Sequence, residues 1–287
     1  MCGFVVGVDV GGTKISGVLL DDQGVIRKEV RVATKSEEGA DAVLSRIGGV
    51  VRRLSRRKDL LVGVSFPGHI DREGLLHDCP HLPSLEGVPL RQRLQRYVAY
   101  PLVVENDANC FVLAEHWRGK GRDHDHVVGV VIGTGIGVGV ISHGFLLKGW
   151  NGGVGELGHL PFPEASSDSD VESFAAGPGL MRRFFSMGGS ASQAERLFEK
   201  KGFLARKALR GTAEALGWLC SVIERAYDPE IIILGGGVAN APILQDVHRF
   251  AKARGVQCRI ERHALGDDAG RLGAALLARR LFSNEKV

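Results

Sequence analysis

The chain has 287 residues, 44% of them hydrophobic, and a formal net charge of +4. That is enough apolar material for a substantial core and for two lobes, and so mild a basicity permits an anionic ligand without calling for nucleic acid. Five scattered cysteines (Cys2, Cys79, Cys110, Cys220 and Cys258) fit buried thiols in a reducing cytoplasm and exclude a disulfide framework.

The apolar run from Phe4 leads straight into a glycine turn, which argues against a signal peptide. β-rich stretches at 4–10, 15–20 and 25–32 are separated by Gly-Gly-Thr-Lys and Asp-Asp-Gln-Gly, both hairpin signals. Ala40, Val43, Leu44, Ile47, Val50, Val51 and Leu54 then follow the spacing of a helix with one buried face. Arg46, Arg52, Arg53, Arg56 and Arg57 read as its solvated face and not as a nucleic-acid patch. A buried strand is predicted over 60–66, ending at Pro67-Gly68. Another falls within 98–104, and a helix over 108–117 closes near Gly119.

The second half repeats the plan. Strands are predicted over 127–132, 138–142 and 145–148, then helices including 204–227, a strand over 231–234, and helices over 241–253 and 269–281. The apolar stretch 127–141 is too short for a membrane span of about 20 residues. A doubled strand-strand-strand-helix-strand pattern predicts an α/β protein of two related lobes with a cleft between them, a usual place for small-molecule sites.

Three glycine segments carry chemistry. Asp9-Val10-Gly11-Gly12-Thr13-Lys14 follows a strand, and its glycines let backbone N–H groups approach an anion. Thr13 adds a hydroxyl donor, Lys14 a cation, and Asp9 a carboxylate able to hold Mg²⁺ through water. Gly133-Thr134-Gly135-Ile136-Gly137 recurs at the matching point of the second half, so the two turns suggest jaws on one polyphosphate. It is neither a dinucleotide fingerprint nor a Walker A loop, since Val138 and a strand follow it. Gly235-Gly236-Gly237 offers a side-chain-free surface for a nucleobase or ribose. Taken singly, each segment also reads as an ordinary tight turn.

Together with Asn106-Asp107-Ala108-Asn109, these segments resemble the ROK family of sugar kinases, within the sugar-kinase, Hsp70 and actin superfamily. Further matches are Phe66-Pro67-Gly68-His69-Ile70-Asp71, Gly152-Gly153-Val154-Gly155-Glu156-Leu157-Gly158-His159, 228–237 and 266–275. The resemblance spans essentially the whole chain. It implies two actin-like, ribonuclease H-like lobes with an interlobe active-site cleft. The expected domains are a small N-terminal lobe over 1–108 and a large C-terminal lobe over 109–270, with a helix at about 271–283 packing back on the first.

The resemblance further implies an ATP- and Mg²⁺-dependent kinase acting on a hexose or N-acetylhexosamine at its 6-hydroxyl, cytoplasmic and homodimeric, with neither nucleic acid nor membrane as partner. Asp107 would be the general base, near a helix start whose N–H groups favour negative charge. The bland alternative is an N-cap carboxylate. Gly68, Asn106, Glu156, His159 and Glu172 would join Asp107 around the sugar. Asp9, Gly11, Gly12, Thr13, Lys14, Gly133, Thr134, Gly135, Gly137, Gly235, Gly236 and Gly237 would hold the nucleotide.

The sequence departs from its relatives in one place. Many members bind a structural zinc through the Gly-Glu-x-Gly-His histidine and a Cys-x-Cys-x4-Cys run, but Pro163, Ala165 and Asp170 stand where those cysteines would be. Structural zinc is therefore expected to be absent. His124-Asp125-His126 and His77-Asp78-Cys79-Pro80-His81 lack recognised ligand spacing, although the second flanks a region that approaches the sugar in relatives. Two rival readings are a sugar-sensing ROK transcriptional regulator and a catalytically inactive sugar-binding protein. The first phosphate motif starts at Asp9, leaving no room before it for a helix-turn-helix module, and the intact Asp107 with both glycine turns disfavours the second rival.

Overall fold

The computed structural model describes residues 3–165, 169–190, 197 and 202–282. It is a mixed α/β protein of two compact units. One comprises Met1–Ala114, Gly144–Val154 and Asp267–Val287, the other Glu115–His143 and Gly155–Gly266.

The first unit is built on β1 (Val5–Val10), β2 (Lys14–Leu20), β3 (Ile26–Ala33), β4 (Leu61–Phe66) and β7 (Leu102–Asn106), in the order β3-β2-β1-β4-β7. The β1–β2 and β2–β3 pairs are antiparallel, while β1–β4 and β4–β7 are parallel. In β1 every residue is buried except Asp9, which is partly buried, as a strand covered on both faces should be. Helix α1 (Ala40–Leu54) supplies one cover, with Val50 and Leu54 seated over Gly17. Helix α8 (Ala269–Phe282) covers the other face, with its backbone against Gly7 and Gly63. A small hairpin, β5 (His69–Ile70) with β6 (Leu76–His77), and the short helix α2 (Leu90–Leu94) lie between β4 and β7 in sequence. The segment Gly144–Val154 contributes a two-residue strand, β10 (Phe145–Leu146).

In the second unit β8 (Val127–Ile132), β9 (Ile136–Ser142), β11 (Ile231–Gly235) and β12 (Arg259–Arg262) run β9-β8-β11-β12. The pair β8–β9 is antiparallel, and β8–β11 and β11–β12 are parallel. This reproduces the order and sense of β2-β1-β4-β7. Helices α4 (Val171–Ala175), α5 (Gly177–Ser186), α6 (Phe203–Tyr227) and α7 (Leu244–Ala253) complete the unit. Helices α6 and α7 approach closely because Gly217 has no side chain, where a Cβ would stand 2.5 Å from that of Phe250. Helix α3 (Asp107–Arg118) begins in the first unit, and its buried Glu115 accepts the Lys120, Ala264 and Leu265 backbone N–H groups, each at 2.9 Å.

Two boundaries and one strand stand out among the differences from the sequence pattern. The strand expected within 98–104 lies at Leu102–Asn106, because Pro101 has no N–H for a ladder. The helix expected over 241–253 starts at Leu244, since Pro242 keeps Ala241 extended at ψ 158° after the turn Val238–Asn240. Strand β12 was not anticipated, as only Ile260 among its four residues is buried. The four described cysteines are free, and three of them are buried. No helix is long and apolar enough to cross a membrane among the described residues.

Candidate active site

The β7–α3 junction in the first unit sets Asn106 and Asp107 side by side. Asn106, not Asp107, caps the helix: its Oδ1 accepts the Ala108 and Asn109 N–H groups at 2.9 and 3.1 Å. Its Nδ2 donates to the Gly68 carbonyl at 2.7 Å and lies 3.3 Å from Asp107 Oδ1. Asn106 is thus engaged with backbone on both sides of the junction. Asp107 occupies the first helical position, with Oδ1 accepting the Ala108 N–H at 2.8 Å. Gly68, brought to this pair, holds φ +92°, and a Cβ on it would stand 2.5 Å from the His77 carbonyl.

The loop following Gly68 is pinned by the β5–β6 hairpin and by His77 Nε2, 2.9 Å from Asp71 Oδ2. That hydrogen bond raises the His77 ring above its ordinary 6.5. Burial pushes the Asp71 carboxyl up, but His77 and the Leu75 N–H together hold it below 3.8. His77 therefore serves Asp71, while His81 packs over Gly12, with its Cβ 2.9 Å from where a Cβ on that glycine would be.

The first glycine turn is closed by Gly11 N–H to the Lys14 carbonyl at 2.9 Å, and Thr34 Oγ1 donates to the Gly11 carbonyl at 2.6 Å. Thr13 and Lys14 are exposed, and the Lys14 ammonium lies 3.1 Å from Asp267 Oδ2. Asp9 lies opposite Ser65 in the parallel β1–β4 pair. Burial pushes its carboxyl above the ordinary 3.8, opposed by the Ser65 hydroxyl, Lys14 and Arg271. A carboxylate strained in this way suits a hydrated divalent cation, whose charge would relieve it.

In the second unit, the Gly133-Thr134-Gly135 turn is closed by Gly133 N–H to the Gly135 carbonyl at 2.9 Å, and Gly177 N–H reaches the Gly133 carbonyl at 2.8 Å. A Cβ on Gly133 or Gly237 would meet nothing within 4 Å, so packing does not require glycine at either place. Gly236 is different, since a Cβ there would stand 2.4 Å from the Ile132 carbonyl. Gly137 lies in β9, paired with Val131, and Gly235 ends β11. Glu172 Oε2 accepts the Ile136 N–H at 2.7 Å, which joins this proposed sugar ligand to the proposed phosphate turn. His159 and Glu156 are exposed on the segment that precedes it.

A match to the description "ROK family" covers residues 5–281. The chain belongs to the ROK family. It is 33% identical to a glucokinase of Thermotoga maritima over 94% of this chain and 96% of that protein. An N-acetyl-D-glucosamine kinase of Citrobacter koseri is 28% identical over 94% and 98%. The crystal structure of a ROK family glucokinase from Streptomyces griseus, in complex with glucose and AMPPNP, superposes with a TM-score of 0.83 at 27% identity, covering 97% of this chain and all of that one. This ROK protein is a phosphotransferase.

The residues around His159 do not fit the structural zinc of other ROK proteins. The positions 163, 165 and 170 offer one carboxylate and no thiolate, and His159 Nδ1 is 3.6 Å from Asp170 Oδ2 and its Nε2 3.9 Å from Glu156 Oε2. The segment from 161 to 170 includes 166–168, which lie outside the described residues. Its ends are joined by the Pro161–Asp170 bridge and by Val171 N–H to the Leu160 carbonyl at 3.0 Å. Phe162 anchors it, with ring centroids 5.0 Å from Phe174 and 5.9 Å from Trp218. Asp170 Oδ1 caps α4 through the Ser173 N–H at 2.6 Å, one residue from Glu172's neighbour Val171. Burial pushes the Asp170 carboxyl up, and Ser173 with His159 brings it below 3.8. The other histidine cluster is spent locally, His126 Nδ1 on Ser142 Oγ at 3.2 Å and His124 Nδ1 on the Arg122 carbonyl at 2.9 Å.

Sequence reasoning passed over Arg271. It is 1% exposed and pairs with Glu29 Oε2 at 3.1 Å and with Asp268. The signal was present as an arginine on the buried side of an apolar helix that follows two aspartates.

Asp9 yields a prediction with two opposite signs. Its folded-state carboxyl sits above 3.8, so the folded chain keeps that proton longer than the unfolded chain does. Wild-type stability contributed by the protonated group is full below 3.8 and is lost as pH rises through the folded value. Asp9→Asn is therefore expected to gain on wild type in unfolding midpoint between about pH 4 and about pH 7, while losing catalytic turnover. Thermal melts of the ligand-free proteins at both pH values check it, and a difference that is constant or shrinks with pH rejects it.

Proposed function

We propose that this ROK phosphotransferase moves the γ-phosphoryl group of ATP to the 6-hydroxyl of a free hexose or N-acetylhexosamine. The observation that carries the reading is the division of labour at β7–α3. Asn106 satisfies the helix N–H groups, so Asp107 is not needed as the cap, and a carboxylate stands at the mouth of a helix beside Gly68. The relatives named glucokinase and N-acetyl-D-glucosamine kinase support the substrate class.

In this reading the sugar O6 forms a bond to Pγ, the bond from Pγ to the bridging oxygen breaks, ADP leaves, and the O6 proton passes to Asp107. Phosphoryl transfer has a loose transition state, so orientation of the hydroxyl matters more than the strength of the base. Asn106, Glu156, His159 and Glu172, with Gly68 beside them, would bind sugar hydroxyls, which need donors and acceptors in pairs. The turns 11–14 and 133–137 would offer N–H groups to phosphate oxygens, and 235–237 would pass along the ribose or base. Asp9 would hold Mg²⁺ through its water shell; the ion, when bound, offsets the charge of the β- and γ-phosphates.

A coupled ADP-release assay across glucose, N-acetylglucosamine, N-acetylmannosamine and fructose tests the proposal. At least one sugar should stimulate ADP release and its 6-deoxy analogue should not. Absence of sugar-dependent release across the panel would reject the function, and equal release with the 6-deoxy sugar would reject the position.

A further inference from the structure

Glu105 immediately precedes the Asn106-Asp107 pair, and its side chain is 6% exposed. Oε1 accepts the Asn106 backbone N–H at 2.9 Å and the Asn109 side-chain amide at 3.0 Å. Those two bonds clasp the end of β7 to the first turn of α3, on either side of Asp107. Oε2 faces the Lys148 ammonium in an ion pair that lacks the alignment of a hydrogen bond.

Lys148 comes from the Gly144–Val154 segment and is 48% exposed. It borders a hollow of about 580 Å³ that Asp71, Arg72 and Trp150 also line. Further along the same segment, the Gly152 backbone presses on the Ile70 carbonyl, where a Cβ would stand 2.3 Å away. The lysine therefore reaches the catalytic junction from a segment that also touches the loop after Gly68. An exposed ion pair contributes little. Here the acid is buried, so removing the lysine strands an uncompensated charge beneath the proposed base.

We propose that Lys148 is a positioning residue for phosphoryl transfer: by compensating Glu105 it fixes the Asn106-Asp107 junction and hence the direction of the base. The inference rests on the kinase reading above. It asks nothing of Lys148 as a ligand for sugar or nucleotide, so its loss should appear in kcat and not in KM.

The test compares wild type with Lys148→Met, Lys148→Arg, Glu105→Gln and the Lys148→Met/Glu105→Gln double variant, in sugar-dependent ADP release and thermal unfolding. A displacement of about 1 Å at a reacting group lowers rates by roughly 100-fold. Lys148→Met is expected to lose about 10- to 100-fold in kcat, with KM for both substrates within about twofold, and arginine to recover most of the loss. In the double variant kcat should return to that of Glu105→Gln alone, because a neutral amide needs no counter-ion. A methionine variant with kcat within about twofold of wild type overturns the inference, as do losses that simply multiply in the double variant. A wild-type protein with no sugar-dependent ADP release on any sugar of the panel overturns the kinase reading instead. The pair is then judged on unfolding midpoints, where coupling supports the anchoring and strict additivity overturns it.

Discussion

Asp107→Asn is expected to lower kcat by about 10²- to 10⁴-fold, the usual contribution of a positioned general base, while leaving the protein folded. Asparagine keeps the shape of the side chain and an oxygen that can accept the Ala108 N–H, now at 2.8 Å. What it removes is the capacity to take the hydroxyl proton. The helix retains its cap, because Asn106 Oδ1 serves the Ala108 and Asn109 N–H groups. Loss of one negative charge in the first turn of α3 should cost only about 0.3–1 kcal/mol. Asn106→Ala provides the contrast: it removes the cap, worth about 1 kcal/mol, together with the tie to Gly68, so both turnover and the unfolding midpoint should fall. Steady-state ADP release with thermal melts separates the two variants. Near-normal turnover in Asp107→Asn would remove Asp107 from the role of base.

The outline of the site was legible because its signals are local. The glycine turns after β1 and β8 declare themselves by a strand before and after, and the Asn106-Asp107 junction by a strand giving way to a helical period. What the residues do there was less legible. A helix-capping role for Asn106, beside its expected place at the sugar, shows only in its bonds to the Ala108 and Asn109 N–H groups and the Gly68 carbonyl. That assignment depends on how a loop 38 residues earlier folds back. The Arg271–Glu29 pair joins residues 242 apart, and Lys148 reaches Glu105 across an intervening helix and three strands. No period or turn signal reports contacts of that kind. Strand β12 escaped notice for a different reason: Arg259, Glu261 and Arg262 carry charge, and pairing with β11 rather than apolar alternation makes it a strand.

Gly63→Ala is expected to be strongly destabilising, because it forces β4 away from α8. A Cβ at Gly63 would stand 1.8 Å from the Ala274 carbonyl oxygen and 2.5 Å from its carbon, both of them backbone atoms that no rotamer change can move. Overpacking a core typically costs about 1–3 kcal/mol and occasionally more, and a clash with backbone at a buried position of an interior strand belongs at or above the top of that range. Stabilities of about 5–15 kcal/mol make such a loss visible as a large fall in unfolding midpoint. Function should fail with it, because α8 carries Arg271, and Gly270 on the same helix lies against Asp9, where a Cβ would be 2.6 Å from Oδ1. Moving α8 therefore moves the surroundings of the carboxylate proposed to hold the cation. Gly49→Ala gives the opposite sign from the same chemical change. Gly49 lies inside α1, and its Cβ would meet only the Arg52 guanidinium, at 4.0 Å. There alanine should stabilise by about 0.5–1 kcal/mol through helix propensity. Denaturant titrations of the two variants distinguish steric closeness at β4–α8 from a general sensitivity to lost glycines, and a Gly63→Ala protein as stable as wild type would show that α8 does not lie on β4 as described.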